Sequence, residues 1–129
     1  MARVKSRFAV EPRRVEKPWG WELVWAETDE YVGKLLFVRA GHALSLQYHE
    51  VKDEAWLVQE GRATVELGEV GGQLDTIEIV PGDALRYRPG TVHRITALED
   101  TLIVEVSTPH LDDVVRLEDR YGREGTSDP

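Results

Sequence analysis

What most limits the fold of this chain is its rhythm: short β-branched and aromatic runs, separated by Gly, Pro and Asp, recur along almost its whole length. Residues 21–26, 31–39, 43–49, 54–59, 62–67, 74–80, 84–87, 91–97 and 101–107 read as strands, and nothing between them keeps helical periodicity over three turns. Gly71-Gly72 predicts a hairpin that needs positive φ, and Pro81-Gly82-Asp83 and Pro89-Gly90 are strong turn sequences. Strands of this kind must each hide one apolar face and lose their open edges, which a double-sheet jelly roll or small barrel achieves. The expectation is a single all-β domain.

Composition removes several classes of function. The 129 residues contain no cysteine, so disulfides, thiolate metal sites and cysteine nucleophiles are excluded. No apolar run has the length to span a bilayer and the N-terminus lacks a signal-peptide core, so a cytoplasmic location without membrane contact is expected. A net charge of −8 argues against broad nucleic-acid binding, because a phosphate backbone would be repelled. The charge is uneven: Arg3, Lys5, Arg7, Arg13, Arg14 and Lys17 face only Glu11 and Glu16 in the first seventeen residues. Residues 1–14 are read as a basic solvated arm or edge strand, residues 15–123 as the folded domain, and 124–129, small and polar, as a frayed tail.

One constellation carries chemistry. From Gly41 to Gly61 the chain reads Gly-x5-Gln-x-His-x4-Glu-x6-Gly, with Gln47, His49 and Glu54 as the donors, and His93 follows the Pro89-Gly90 turn. Strand residues two apart share a face, so Ser45, Gln47 and His49 point one way. Glu54 and His93 each sit where a strand leaves a turn. Two imidazoles, a carboxylate and an amide oxygen suit one divalent ion, zinc foremost, with manganese, iron, nickel and cobalt also accepting such donors. His42 and His110, beside Gly41 and Pro109, are read as surface histidines, and Trp19, Trp21, Trp25 and Trp56 as packing residues. Trp56 shares a face with Glu54 and can also line a cavity.

These segments resemble the two signature motifs of the cupin superfamily, with Gln47 where His is usual and Arg88 where Pro is usual. Gln in a Ser-Leu-Gln-x-His context is similar to phosphomannose isomerases of the cupin type. Lys17-Pro18-Trp19-Gly20-Trp21, Glu54-Ala55-Trp56, His93-Arg94 and the segment from Asp112 to Arg123 also resemble the isomerase domain of type II mannose-6-phosphate isomerases, in register over residues 15–123. The resemblance implies a double-stranded β-helix, the cupin jelly roll, and a metal-dependent aldose–ketose isomerase of carbohydrate metabolism. A homodimer formed through the N-terminal strand is a further implication. Guanylyltransferase activity is not implied, because the sequence has neither the length nor a Gly-rich phosphate loop for that domain.

Isomerisation needs a Lewis acid for the enediolate and a group to move the proton. Lys34, on one strand face with Leu36 and Val38, and Glu105, in the middle of an apolar strand, are the candidate bases, with Arg94 a third candidate at the site. For a phosphorylated sugar, Arg88, Arg94 and Arg116 could meet the dianion, with Trp56 and Ser45 lining the site. His49, Glu54 and His93 equally fit a non-haem iron dioxygenase, and a non-catalytic metal- or carbohydrate-binding cupin is a third class.

Overall fold

The computed structural model describes residues 3–124. The frayed tail expected over 124–129 lies outside the described residues, apart from Glu124. Eleven strands form two antiparallel sheets among the described residues. They are β1 (Arg13–Lys17), β2 (Gly20–Glu27), β3 (Val32–Val38), β4 (Leu46–Tyr48), β5 (Glu54–Glu60), β6 (Ala63–Glu69), β7 (Asp75–Ile79), β8 (Ala84–Tyr87), β9 (Thr91–Ala97), β10 (Thr101–Ser107) and β11 (Val115–Glu118). The first sheet runs β1-β2-β3-β10-β5-β8 and the second β11-β4-β9-β6-β7. No helix is long and apolar enough to cross a membrane among these residues.

Period-two alternation divides the interior into two zones. On the inner face of the first sheet, Leu36 of β3 lies opposite Ile103 of β10, which lies opposite Val58 of β5. With Val65, Ile79, Ile95 and Ala97 of the second sheet, they make the dry core. Two residues along the same strands, the inner row changes to Lys34, Glu105 and Trp56. Each strand therefore contributes apolar residues at one end of the sandwich and polar ones at the other. The dry end supplies the burial that holds the polar end in place.

Turn chemistry is as the sequence expects. Gly71 has φ 77 in the β6–β7 hairpin. Gly61 combines φ 95 with a backbone approach that a Cβ would bring to 2.3 Å from the Asp100 carbonyl oxygen, so only glycine fits there.

Three segments differ from expectation. Residues 43–49 are strand only over Leu46–Tyr48, with Ala43 bridging Thr96. Arg13–Lys17 pairs with β2 at the edge of the sheet, which meets the edge-strand reading of the basic segment but starts at residue 13, two residues before the expected domain boundary. Val115–Glu118, which had no strand signal, pairs with β4. That last strand is secured beyond its end by buried Asp119, whose carboxylate accepts from the Arg123 backbone N–H at 2.7 Å and from its guanidinium at 2.9 and 3.2 Å. Burial works to raise the Asp119 pKa, but the Arg123 bonds outweigh it and hold the carboxyl below the usual value of 3.8. Its stabilisation is therefore present above that value and is lost as the pH falls through the lower folded one. Asp119→Asn is expected to cost about 1.5–3 kcal/mol at neutral pH. In urea denaturation the difference from wild type should shrink below about pH 4.

Candidate metal centre

Three donor side chains meet at the polar end. His49 lies just beyond β4, Glu54 opens β5 and His93 is the third residue of β9. All three are buried, and their ligand atoms lie within 4.8 Å of one another. Both imidazoles address the same carboxylate, His49 Nε2 at 3.4 Å from Glu54 Oε2 and His93 Nε2 at 3.4 Å from Oε1. Donors each about 2.1 Å from an ion in tetrahedral array stand about 3.4 Å apart, so the spacing suits a first-row metal. Buried His93 Nε2 has no hydrogen-bond partner, which also fits an atom reserved for a ligand.

The tautomers are set from behind. His49 Nδ1 bonds the Asp113 carbonyl oxygen, and His93 Nδ1 bonds the Thr91 carbonyl oxygen at 3.0 Å. A carbonyl only accepts, so each Nδ1 carries the proton and each Nε2 presents its lone pair inward. His93 is held further by Tyr87, stacked at 4.1 Å, and by the edge of Trp56 at 6.0 Å. Burial, reinforced by Glu54 and Glu105, pushes the Tyr87 phenol upward and keeps it neutral.

Gln47 pairs with His93 in the β4–β9 register and lines the same cavity, as do Ser45, Trp56, Lys34, Glu105 and Arg116. The space they surround totals about 540 Å³, including its opening to solvent. Arg94 and Arg88 are placed elsewhere. Arg94 points out of the second sheet, held by Glu66 at 3.0 and 3.1 Å and by Glu118 at 3.3 Å, so it cannot serve inside the cavity. Arg88 is exposed and does not line the cavity, because it follows inward-facing Tyr87 and points the opposite way. His110 is exposed as expected, whereas His42 is half-buried and bonded through Nδ1 to the Tyr121 hydroxyl at 2.7 Å.

Sequence reasoning missed Lys52. Its ammonium is buried 2.7 Å from Glu54 Oε2 and 3.4 Å from Glu105 Oε2. Lys34 continues the row, 3.7 Å from Glu105 Oε2 and 3.2 Å from Glu22 Oε1. Glu105 also accepts from Trp56 Nε1 at 3.0 Å. The result is a buried file of alternating charge, Glu22, Lys34, Glu105, Lys52 and Glu54, with one more acid than lysine. Burial favours neutral Lys52, but Glu105 and Glu54 outweigh it and hold the ammonium above the ordinary lysine range. Burial likewise favours neutral Glu54, but the Lys52 ammonium holds it well below the ordinary range as an anion.

The turn that delivers Lys52 is organised by Asp113, also missed. Its carboxylate accepts from the backbone N–H groups of Glu50, Val51 and Lys52 at 2.9, 2.7 and 2.8 Å. Lys17, Arg116 and Arg123 also line the cavity. The Lys17 pKa is lowered by burial first and, against the pull of Glu22, by the positive charges of Lys34, Arg123 and Arg116.

Comparison with known proteins agrees with this architecture. Residues 5–119 match the family model described as mannose-6-phosphate isomerase C-terminal. The chain is 36% identical over 115 residues to the mannose-1-phosphate guanylyltransferase ManC of Salmonella typhimurium, a match covering 86% of this chain and 23% of that protein. It thus spans about a quarter of the length of the curated relatives it matches. Among solved structures, KdgF from Halomonas sp. superposes with a TM-score of 0.66 at 24% identity, covering 78% of this chain and 89% of that one. Oxalate decarboxylase from Bacillus subtilis, which has Mn(II) centres, superposes with a TM-score of 0.69 at 17% identity, covering 81% and 29%. Both share the jelly-roll fold of two antiparallel sheets found here, and with its family match running from residue 5 to 119, the chain belongs to the mannose-6-phosphate isomerase C-terminal family.

Proposed function

We propose that the chain is a metal-dependent aldose–ketose isomerase acting on a phosphorylated sugar, mannose 6-phosphate foremost. The observation that carries this reading is the buried His49–Glu54–His93 cluster in a cavity that Lys17, Lys34, Lys52, Arg116 and Arg123 also line. His49, Glu54, His93 and Gln47 would hold one divalent ion, zinc foremost among zinc, manganese, iron, nickel and cobalt. When bound, such an ion supplies Lewis acidity to the carbonyl and hydroxyl oxygens of the sugar. Only one donor is anionic, so most of that acidity is retained.

The residues of the chain divide the remaining work. Both buried lysines stand against carboxylates, and Lys52 is held as an ammonium, so it supplies charge and cannot accept a proton. Glu54 is committed to the ion, and Glu22 lies at the far end of the file with Lys34. Glu105 is left as the proton acceptor, a carboxylate whose Oε2 faces the Lys34 and Lys52 ammonium groups at 3.7 and 3.4 Å, and it carries the proton between adjacent sugar carbons. Lys52, between Glu54 and Glu105, is suited to steady the negative enediolate oxygen. Lys17, Arg116 and Arg123, the last held by Asp119, line the cavity together, and their positive charge favours a sugar phosphate over a free sugar.

Incubation with mannose 6-phosphate in heavy water should give fructose 6-phosphate and deuterium beside the carbonyl, read by NMR, without oxygen consumption. Absence of exchange from every hexose and pentose, free or phosphorylated, with each metal would end the isomerase reading. The two-histidine, one-carboxylate cluster also supports an iron dioxygenase, and oxygen uptake dependent on ferrous iron would favour it. Binding without turnover would favour a non-catalytic cupin. A further expected result concerns Asp113: Asp113→Ala should weaken metal binding about 10–100-fold in competition with a chelator, because the backbone that orients His49 loses its anchor.

A further inference from the structure

We propose that the metal cavity continues into a second subsite, a groove over β1 and β2 that binds a neutral sugar ring linked to the sugar in the cavity. This rests on the isomerase reading for the sugar at the metal and widens its substrate class from a single sugar to a short saccharide.

The register makes the floor continuous. Lys34, Glu105 and Trp56 form the inner row at the polar end, and the same row runs on from Lys34 to Val24 of β2 and Arg13 of β1. In the next inner row Val15 lies opposite Glu22. Alternation brings Arg13, Val15 and Lys17 to one face of β1, a span of about 13 Å. Leu111 and Asp112, from the loop before β11, complete a groove of about 790 Å³, including its opening to solvent. Lys17, Glu22, Lys34 and Leu111 line both the groove and the metal cavity, so one ligand can occupy the two together.

The chemistry of the walls selects the occupant. Buried Val24 and half-buried Val15 and Leu111 offer an apolar surface. Around it the signs of charge are mixed, with Arg13, Lys17 and Lys34 against Glu22 and Asp112. A polyanion would meet the two carboxylates, and a polycation the three cations. The chain's own basic arm is disfavoured on the same ground, since Arg3, Lys5 and Arg7 would face Arg13 and Lys17. A wholly apolar ligand would strip water from charges that it could not pair. A sugar ring meets every condition. Each hydroxyl both donates and accepts, so it bonds a carboxylate and an ammonium alike, while the C–H face of the ring covers the valines. Lys17 is half-buried, and neither its ammonium nor the exposed Asp112 carboxylate has a hydrogen-bond or ion-pair partner among the described residues. Both are available to such hydroxyls. Arg116 and Arg123 line the cavity and not the groove, so a phosphate on the first sugar keeps its cationic contacts.

Isothermal titration of the zinc-loaded protein with mannose, and with a panel of mannobioses that differ in the linked oxygen, tests the groove. At least one mannobiose should bind about tenfold or more tightly than mannose. Saturation-transfer NMR should then show protein contact with its non-reducing ring as well as the reducing one. Val15→Trp, which fills the groove from an edge strand, should return that mannobiose to the affinity of mannose and leave mannose binding unchanged. Should Val15→Trp fail to fold, Asp112→Ala, at an exposed position, should cost the mannobiose about threefold or more and mannose nothing. A panel in which none binds more tightly than mannose, or a gain that survives in the folded variant, overturns the proposal. Deuterium exchange on mannose 6-phosphate without a mannobiose gain counts against the groove alone, and a gain without exchange counts against the isomerase alone.

Discussion

Truncation of Glu105 to alanine should lower stability by about 3–5 kcal/mol, the largest loss expected of any single substitution at the polar end. Glu105 is 2% exposed and stands between two buried lysines, 3.7 Å from Lys34 and 3.4 Å from Lys52, while accepting from the Trp56 indole at 3.0 Å. Removing it leaves each lysine with a single carboxylate, Glu22 for Lys34 and Glu54 for Lys52. Buried ammonium groups tolerate this poorly, because their desolvation was offset by two partners. In a domain whose whole stability is of order 5–15 kcal/mol, the melting temperature should fall by about 10 °C or more. Glu105→Gln keeps the volume and the acceptor for Trp56, so it should lose less and remain folded. That variant separates the two roles: it should bind metal and fail to exchange substrate hydrogen with solvent. A Glu105→Ala loss below about 1 kcal/mol in urea denaturation would mean that the charged file is not a coupled unit.

The legible part of this site lay where strand parity operates. His93 begins an inward series with Ile95 and Ala97, and Glu54 begins one with Trp56 and Val58, so the first turns of β9 and β5 could be read from alternation alone. The same parity speaks against Arg94 and Arg88: each directly follows an inward residue, His93 or Tyr87, and so faces outward. Their charge suits a phosphate, but their place in the strand sets them outside the cavity. Lys52 had no parity to obey. It sits in Glu50-Val51-Lys52-Asp53, which reads as a solvated turn until Asp113, some sixty residues away, binds three of its amides. Long-range pairing also hid β11. Val115–Glu118 becomes a strand because β4 offers it an edge, and only that register sets Arg116 opposite Gln47 at the cavity. Arg13–Lys17 is charged at four of five positions and so reads as an arm, yet its strand character comes from backbone bonds to β2.

The second large effect concerns Glu54 and Lys52 as opposing partners. Glu54→Gln should reduce bound metal, measured on protein purified without added metal, to below about a tenth of wild type, because Glu54 is the one anion among the four proposed donors. The change is isosteric, and Lys52 keeps Glu105 at 3.4 Å, so the fold should persist. Lys52→Gln should do the opposite. Its ammonium lies 2.7 Å from Glu54 Oε2 and repels any cation that shares that carboxylate, so its removal should tighten metal binding about tenfold or more in chelator competition. Catalysis should nevertheless fall, since the group proposed to steady the enediolate oxygen is gone. A cavity built only to hold metal would have no use for a competing ammonium, and tighter binding paired with slower turnover is the signature of a charge kept for substrate. Were Lys52→Gln to weaken metal binding instead, the lysine would be acting to pre-form the site, and its assignment to the enediolate would be withdrawn.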